Sequence, residues 1–253
     1  MHKIIVKAIS TWRELDVELF NDLDIGVEIQ DFVEPNLNKE ELGGIIKYYN
    51  EKLGQVRGLK TMHGPFLDLK PSSPDMMIRE VSKMKYRATL QIASILKIDH
   101  IIFHSQINPY LNQPYLRKLN NSQAKEFWDG LLEDVNEYKG TILIENIFEE
   151  TPDMLYDLIT HLNHERIKIN LDIGHANLGK VGLEEWIRIL RDYIHYIHIH
   201  SNNGEYDEHK PPNENQLNEL KELLEKYHIN PILSLEYKTD DLINCIKKYE
   251  IFR

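Results

Sequence analysis

The sequence predicts an α/β protein folded as a single (β/α)8 barrel. Short β-branched runs alternate with longer amphipathic stretches, and the alternation repeats eight times within 253 residues, the count and length of that barrel. No Gly/Ser tract, Pro-rich spacer or low-complexity run interrupts it, so one domain over 1–253 is expected. The strands are read at KIIVKA (3–8), GVEIQ (26–30), GLKTMH (58–63) and HIIFH (100–104), then TILIE (141–145), IKINLD (167–172), HYIHIH (195–200) and PILSLE (231–236). Helix starts lie between them. Asn38 precedes KEELGGIIKYYNEKLG, and Ser73-Pro74-Asp75 opens MMIREVSKMKYRATLQIASILK. Thr151-Pro152-Asp153 opens MLYDLITHL, and Thr239-Asp240-Asp241 opens LINCIKKY. Each places a capping oxygen, in two cases with a nearby Pro, before a 3.6-residue apolar period. A doubly wound open sheet is the alternative, but it expects a Gly-rich phosphate turn after the first strand, and ISTWRE is not one.

Composition narrows the function. The chain is 42% hydrophobic and 28% charged, ordinary for a globular protein. Its 41 acidic and 30 basic residues give a net charge of −11, which argues against nonspecific polyanion binding through clustered Lys and Arg. The single Cys245 leaves no intramolecular disulfide, in keeping with a reducing compartment. No apolar run is long enough to span a membrane, and MHKIIVKAISTWRELD turns polar too early for a signal peptide. A cytoplasmic location is expected.

Active sites of this barrel lie at the C-terminal strand ends. The last residues of the third to eighth strands are His63, His104, Glu145, Asp172, His200 and Glu236, all of metal-ligand type. If these face inward, their preceding neighbours face the helices. Those neighbours are Met62, Phe103, Ile144, Leu171, Ile199 and Leu235, all apolar. His175 follows the sixth strand by three residues, where the chain turns over the mouth, and Asp207 and His209 follow His200 within loop reach. An extended segment would let Asp207 and His209 face one ion. The set is five His and four carboxylates, enough for two or three divalent ions. Imidazole and carboxylate without thiolate suit zinc first, with manganese or iron as alternatives.

A lone His at a strand end is usually a hydrogen-bonded residue rather than a ligand. Glu145 and Glu236 differ, because an inward carboxylate needs a cation or a donor to offset its desolvation. His2, His161, His164 and His228 fall near termini or helix ends and are read as solvated. His100 and His198 share the inward parity of His104 and His200 but are expected lower in the barrel, as interior groups or partners that orient ligands. Glu28 and Gln30 end the second strand, either lining the pocket or forming a structural polar pair.

At these residues the sequence resembles the xylose isomerase-like TIM barrels, a group that also holds the endonuclease IV-type enzymes (AP endonuclease family 2). The resemblance runs from MHGPF (62–66) to LSLEYK (233–238), and IEN (144–146), LDIGH (171–175) and HIHSNNGEYDEH (198–209) carry it. For the sugar isomerases and epimerases it implies one ion held by Glu145, Asp172, His200 and Glu236, with Glu145 and Glu236 as catalytic proton-transfer groups. For the endonuclease IV type it implies three zinc ions, with His63, His104, Glu145, Asp172, His175, His200, Asp207, His209 and Glu236 as the nine ligands. Two features depart from the latter. KPPNEN after His209 keeps Glu214 where relatives carry Gly-Glu-Gly, and the loop between His200 and Asp207 is short. No dense basic and aromatic loop is present to wedge into a duplex.

Two chemistries follow. Isomerisation or epimerisation takes a proton from carbon next to a carbonyl, with a base, an acid and a cation for the developing oxyanion. Phosphodiester hydrolysis needs two or three ions to activate water and neutralise the phosphate. The ligand count favours hydrolysis; the charge and loops favour a small sugar or phosphate-bearing substrate. The expectation is therefore a divalent-metal sugar isomerase or epimerase with one to three ions per chain. DNA is a partner only under the endonuclease alternative, and no membrane partner is expected.

Overall fold

A computed structural model describes residues 3–252; Met1, His2 and Arg253 lie outside them, and with them the solvated reading of His2 and the ends of the expected 1–253 span. Among the described residues, eight parallel strands close in sequence order. They are β1 (Ile5–Ile9), β2 (Gly26–Ile29), β3 (Lys60–His63), β4 (His100–His104), β5 (Thr141–Glu145), β6 (Ile167–Asp172), β7 (Ile194–Ile199) and β8 (Ile232–Leu235). Pairing of Ile5 with Leu233 closes the ring. That excludes the open sheet.

The helices are α1 (Val17–Asp22), α2 (Lys39–Lys52), α3 (Met76–Ile95), α4 (Pro114–Asp134), α5 (Asp153–Leu162), α6 (Ile173–Asn177), α7 (Leu183–Leu190), α8 (Glu214–Lys226) and α9 (Leu242–Lys248). Asn38 caps α2 in a reciprocal box with Glu41, and Asp75 and Asp241 cap α3 and α9. At α5 the expectation fails: Pro152 is the cap residue and makes no side-chain bond, while Thr151 Oγ1 donates to Asp153 instead. No helix among the described residues is long and apolar enough to cross a membrane.

The predicted parity appears as two layers of core. Met62, Phe103, Ile144, Leu171, Ile199 and Leu235 belong to the large cluster between barrel and helices. Inside the barrel, Val6, Ile102, Leu143, Tyr196 and Ile232 form a separate small cluster. Burying each such side chain contributes roughly 1.5–3 kcal/mol, so a one-residue register slip in any strand would be costly. Above the inner cluster the barrel turns polar, and the site stands there. Cys245 is buried and unbridged, beside the Tyr237 hydroxyl at 3.1 Å.

Candidate functional site

All nine sequence-predicted residues converge on the C-terminal mouth. His63, His104, Glu145 and Asp172 end their strands, whereas His200 and Glu236 stand one residue beyond β7 and β8. Groups of three or four His, Asp and Glu side chains place ligand atoms within 4.8 Å of one another: His63, His104 and Glu145; Asp172, His200 and Glu236; and His175, His200, Asp207 and His209. Two more groups, Glu145–Asp172–His198 and Glu28–His198–Glu236, bring in residues the sequence left at the margin.

Local structure aims these side chains. Asp172 is both a strand end and the cap of α6, where its Oδ1 accepts from the His175 amide at 2.7 Å. That capping turn is what brings His175 over the mouth. Gly174 lies between them, and a Cβ there would stand 2.0 Å from the His200 ring. Asp207 and His209 do not reach the site on an extended segment. His209 has φ +48°, and this left-handed turn lets its ring stack on His200 at 4.0 Å. Phe66 covers His104 at 4.1 Å. Asn213 caps α8 in a box with Gln216, a structural reason for Asn beside Glu214, whose own side chain is exposed.

The hydrogen bonds fit a set of ligands. His63, His175 and His209 each pair Nδ1 with a backbone carbonyl at 2.9 Å, those of Gly64, Asn146 and Glu236. Each Nε2 then faces a carboxylate: His63 stands 3.5 Å from Glu145, and His175 and His209 stand 3.2 and 3.1 Å from Asp207. Anchoring one ring nitrogen while the other is left toward a shared point is the arrangement metal-binding imidazoles adopt. His198 Nδ1, His200 Nδ1 and Glu236 Oε2 are buried with no hydrogen-bond partner. The donor set therefore fits divalent ions.

Carboxylates are held as well. Asn170 donates to Glu145 Oε2 at 2.9 Å and Gln30 to Glu236 Oε1 at 2.7 Å. Asn146 braces Asp172 through two backbone bonds, of 2.9 and 2.8 Å. On the outer face of β1, Lys7 Nζ donates to the carbonyls of Leu235 and Tyr237 at 3.1 and 2.9 Å, fixing the chain on either side of Glu236. Burial alone would raise the Glu145 carboxyl. The His198 charge and the close approach of the His175 and His63 rings outweigh it and hold Glu145 well below the carboxylate range. Asp172 is held down against burial in the same way, chiefly by His175 and His200. Burial pushes His104 down to about 3, beyond what the Glu145 charge restores, so its ring is neutral at pH 7. His198 moves the other way: burial opposes its charge, but Glu236, Glu28 and Glu145 raise it well above the usual range.

The profile of the xylose isomerase-like TIM barrels matches residues 26–250. The chain belongs to that family. An uncharacterized protein of Methanocaldococcus jannaschii is 32% identical, with 94% of each chain covered. Among solved structures, a Thermus thermophilus protein soaked with zinc chloride superposes at TM-score 0.77, with 20% identity over 98% of this chain and 99% of that one. A D-tagatose 3-epimerase-like protein superposes at 0.73, with 22% identity over 99% and 95%. At these identities the two structures establish the shared fold.

Within this family fold, the residues sequence reasoning undervalued are Glu28, Gln30, Asn146, Asn170 and His198. His198 is not lower than the strand ends: it pairs in register with Asp172, beyond a shift at Ile169/Asn170. The stagger of a closed barrel lifts a residue two places before one strand end to the level of its neighbour's end. His100 does lie at the opposite end of the inner barrel, 5.1 Å from His195, with its Nδ1 unpartnered. The alternating His-x-His of β7 was the available signal for His198, but only register could rank it.

Proposed function

We propose that the chain is a divalent-metal-dependent isomerase or epimerase of a small sugar or sugar phosphate, acting as one domain in a reducing, cytoplasmic compartment. One observation carries the reading. Glu145 and Glu236 face the same His198 nitrogen at 3.3 and 2.9 Å, and each has one oxygen fixed by an amide donor, which leaves two oriented carboxylates for proton transfer. The sugar epimerases among the structural neighbours favour the same class. In this mechanism one glutamate takes the proton from carbon beside the carbonyl, and the other returns a proton to the same or the opposite face. Glu145, Asp172, His200 and Glu236 would hold an ion, zinc or alternatively manganese or iron, that supplies positive charge beside the substrate oxygens. Gln30 and Asn170 keep the two carboxylates in place during both transfers. The test is solvent exchange: ketoses and ketose phosphates incubated with the metal-loaded protein in D2O should gain deuterium at the carbon next to the carbonyl. No exchange across such a panel would overturn the reading.

Phosphodiester hydrolysis is the second reading, favoured by the outer group of His175, His200, Asp207 and His209, of which one ion in the centre leaves His175, Asp207 and His209 unused. Tyr206 and Phe148 stand 67% and 66% exposed on the loops that carry this side of the mouth. Cleavage of an abasic-site duplex at physiological salt, without deuterium exchange into sugars, would establish it instead.

A further inference from the structure

The two longest helices bury nothing over their first turns. No residue of α3 before Ser82 is buried, and none of α4 before Ala124. Between them, beneath the segments that follow β3 and β4, lies a cavity of about 200 Å³. An apolar cavity of ~150 Å³ is enough to hold benzene, so this one has room for a small organic molecule. It stands apart from the mouth: of the nine candidate ligands, only His104 lines it.

The lining has a pattern. Arg117, Asn120, Asn121, Ala124 and Trp128 line the cavity from α4, at the i, i+3, i+4, i+7 and i+11 spacing of a core-facing stripe. Such a stripe is ordinarily apolar. Here it opens with a guanidinium and two amides, and the small Ala124 leaves the space beside them unfilled. The buried Trp128, Ile144 and Leu158 make an apolar floor, and Ile78 and Leu111, 41% and 42% exposed, edge the opening.

Charge then selects the ligand. Arg117 pairs with Asp157 at 3.2 Å through one terminal nitrogen, while its Nε is buried with no hydrogen-bond partner. A charged donor left unmet in a buried place is costly, and an acceptor there removes the cost. Lys70 and Arg117 outnumber Asp157, the one carboxylate of the lining, so the pocket is locally positive in a chain of net charge −11. A guanidinium offers paired donors that match a carboxylate, and the apolar floor suits the body of the same molecule.

We propose that this cavity is a second small-molecule site, for an organic acid with an apolar body. The carboxylate meets the open Nε edge of Arg117, and the body rests on Trp128, Ile144 and Leu158. The site goes beyond the sugar reading and does not depend on it.

Calorimetric titration of benzoate into the full chain tests it, with benzyl alcohol as the uncharged control and inorganic phosphate as the control without a body. Benzoate should bind with a Kd of ~1 mM or tighter, and each control should bind about tenfold or more weakly. Arg117→Gln removes the charge and Ala124→Leu fills the space. With folding checked by circular dichroism, each should weaken benzoate by about tenfold or more. Binding should persist in chelator, because no ion takes part. A crystal soaked with 4-bromobenzoate should place the bromine against Trp128 and Leu158, and this arm decides the matter if neither variant folds. No benzoate binding up to ~10 mM overturns the proposal. So does either control binding as tightly as benzoate, unchanged affinity in the folded variants, or bromine found elsewhere. Loss of binding in chelator overturns it too, by placing benzoate on ions in the mouth. None of these failures alters deuterium exchange into ketoses, which tests the sugar reading separately.

Discussion

His198 Nδ1 and Glu236 Oε2 lie 2.9 Å apart at the centre of the mouth, and neither atom makes a hydrogen bond. The remaining polar atoms of these two side chains have partners: Glu28 on the far side of His198 and Gln30 on the other oxygen of Glu236. A buried polar pair left open, with His200 Nδ1 also unpartnered nearby, marks a point that calls for a further group. The expected consequences concern the glycine that leaves room for the site, its carboxylates, its outer histidines and its charge.

Gly174→Ala should damage the site more than the fold. The added Cβ meets three atoms of the His200 ring at 2.0 to 2.6 Å, so the imidazole must leave its place. Overpacking of this kind costs about 1–3 kcal/mol. We expect a modest fall in the urea midpoint with at least tenfold weaker zinc binding. A variant that binds zinc like the unmutated chain would show that His200 is free to shift without consequence.

Glu145→Gln and Glu236→Gln should each abolish turnover while leaving the barrel folded. Loss of a general acid or base typically costs 10²–10⁴-fold, and each change also removes a ligand charge. Glu145→Gln should have the larger effect on ion content, because both glutamates stand in two of the ligand groups but Glu145 is the more deeply buried. Deuterium exchange into the ketose panel and metal analysis of both variants check this; normal exchange in either contradicts the acid–base role.

The double variant His63→Ala with His209→Ala separates the two chemistries. If the protein is an isomerase, about one ion per chain should remain and the change should appear mainly in KM, the outer groups then serving substrate hydroxyls. If it is a hydrolase, the unmutated chain should hold two or three ions and the variant should lose the outer ones, with abasic-duplex cleavage collapsing. Metal equivalents per chain read the difference directly.

Ion-free protein should lose a stabilising contribution as pH rises. Burial would lower His209, but the hydrogen bond it donates to Asp207 and the Glu236 charge raise it from 6.5 to about 9. A folded-state value above the unfolded one means a contribution fully present below about pH 6.5 and lost as pH climbs through about 9. In chelator, the advantage of the unmutated chain over His209→Gln should therefore be largest near pH 6 and vanish above pH 9. Urea midpoints across that range measure it; an advantage that grows with pH would contradict the assignment.

The sequence by itself determined the barrel and nearly all of its mouth. Alternation of β-branched runs with capped amphipathic stretches is a local property, and side-chain parity along a strand follows from backbone geometry alone. Eight strands and six candidate ligands at or next to their ends could therefore be placed from the sequence. Loop residues were legible by reach but not by conformation: the left-handed turn at His209 and the one-turn helix over His175 come from contacts made across the mouth. The level of one strand against the next was legible only in the tertiary structure. Barrel closure staggers the strands, and that stagger sets His198 beside Asp172 and Ser234, above Glu28 and among three carboxylates. In the sequence, His198 is an inward residue two places short of a strand end. Its position at the centre of the site follows from the register of β6, β7 and β8, and no single strand carries that information.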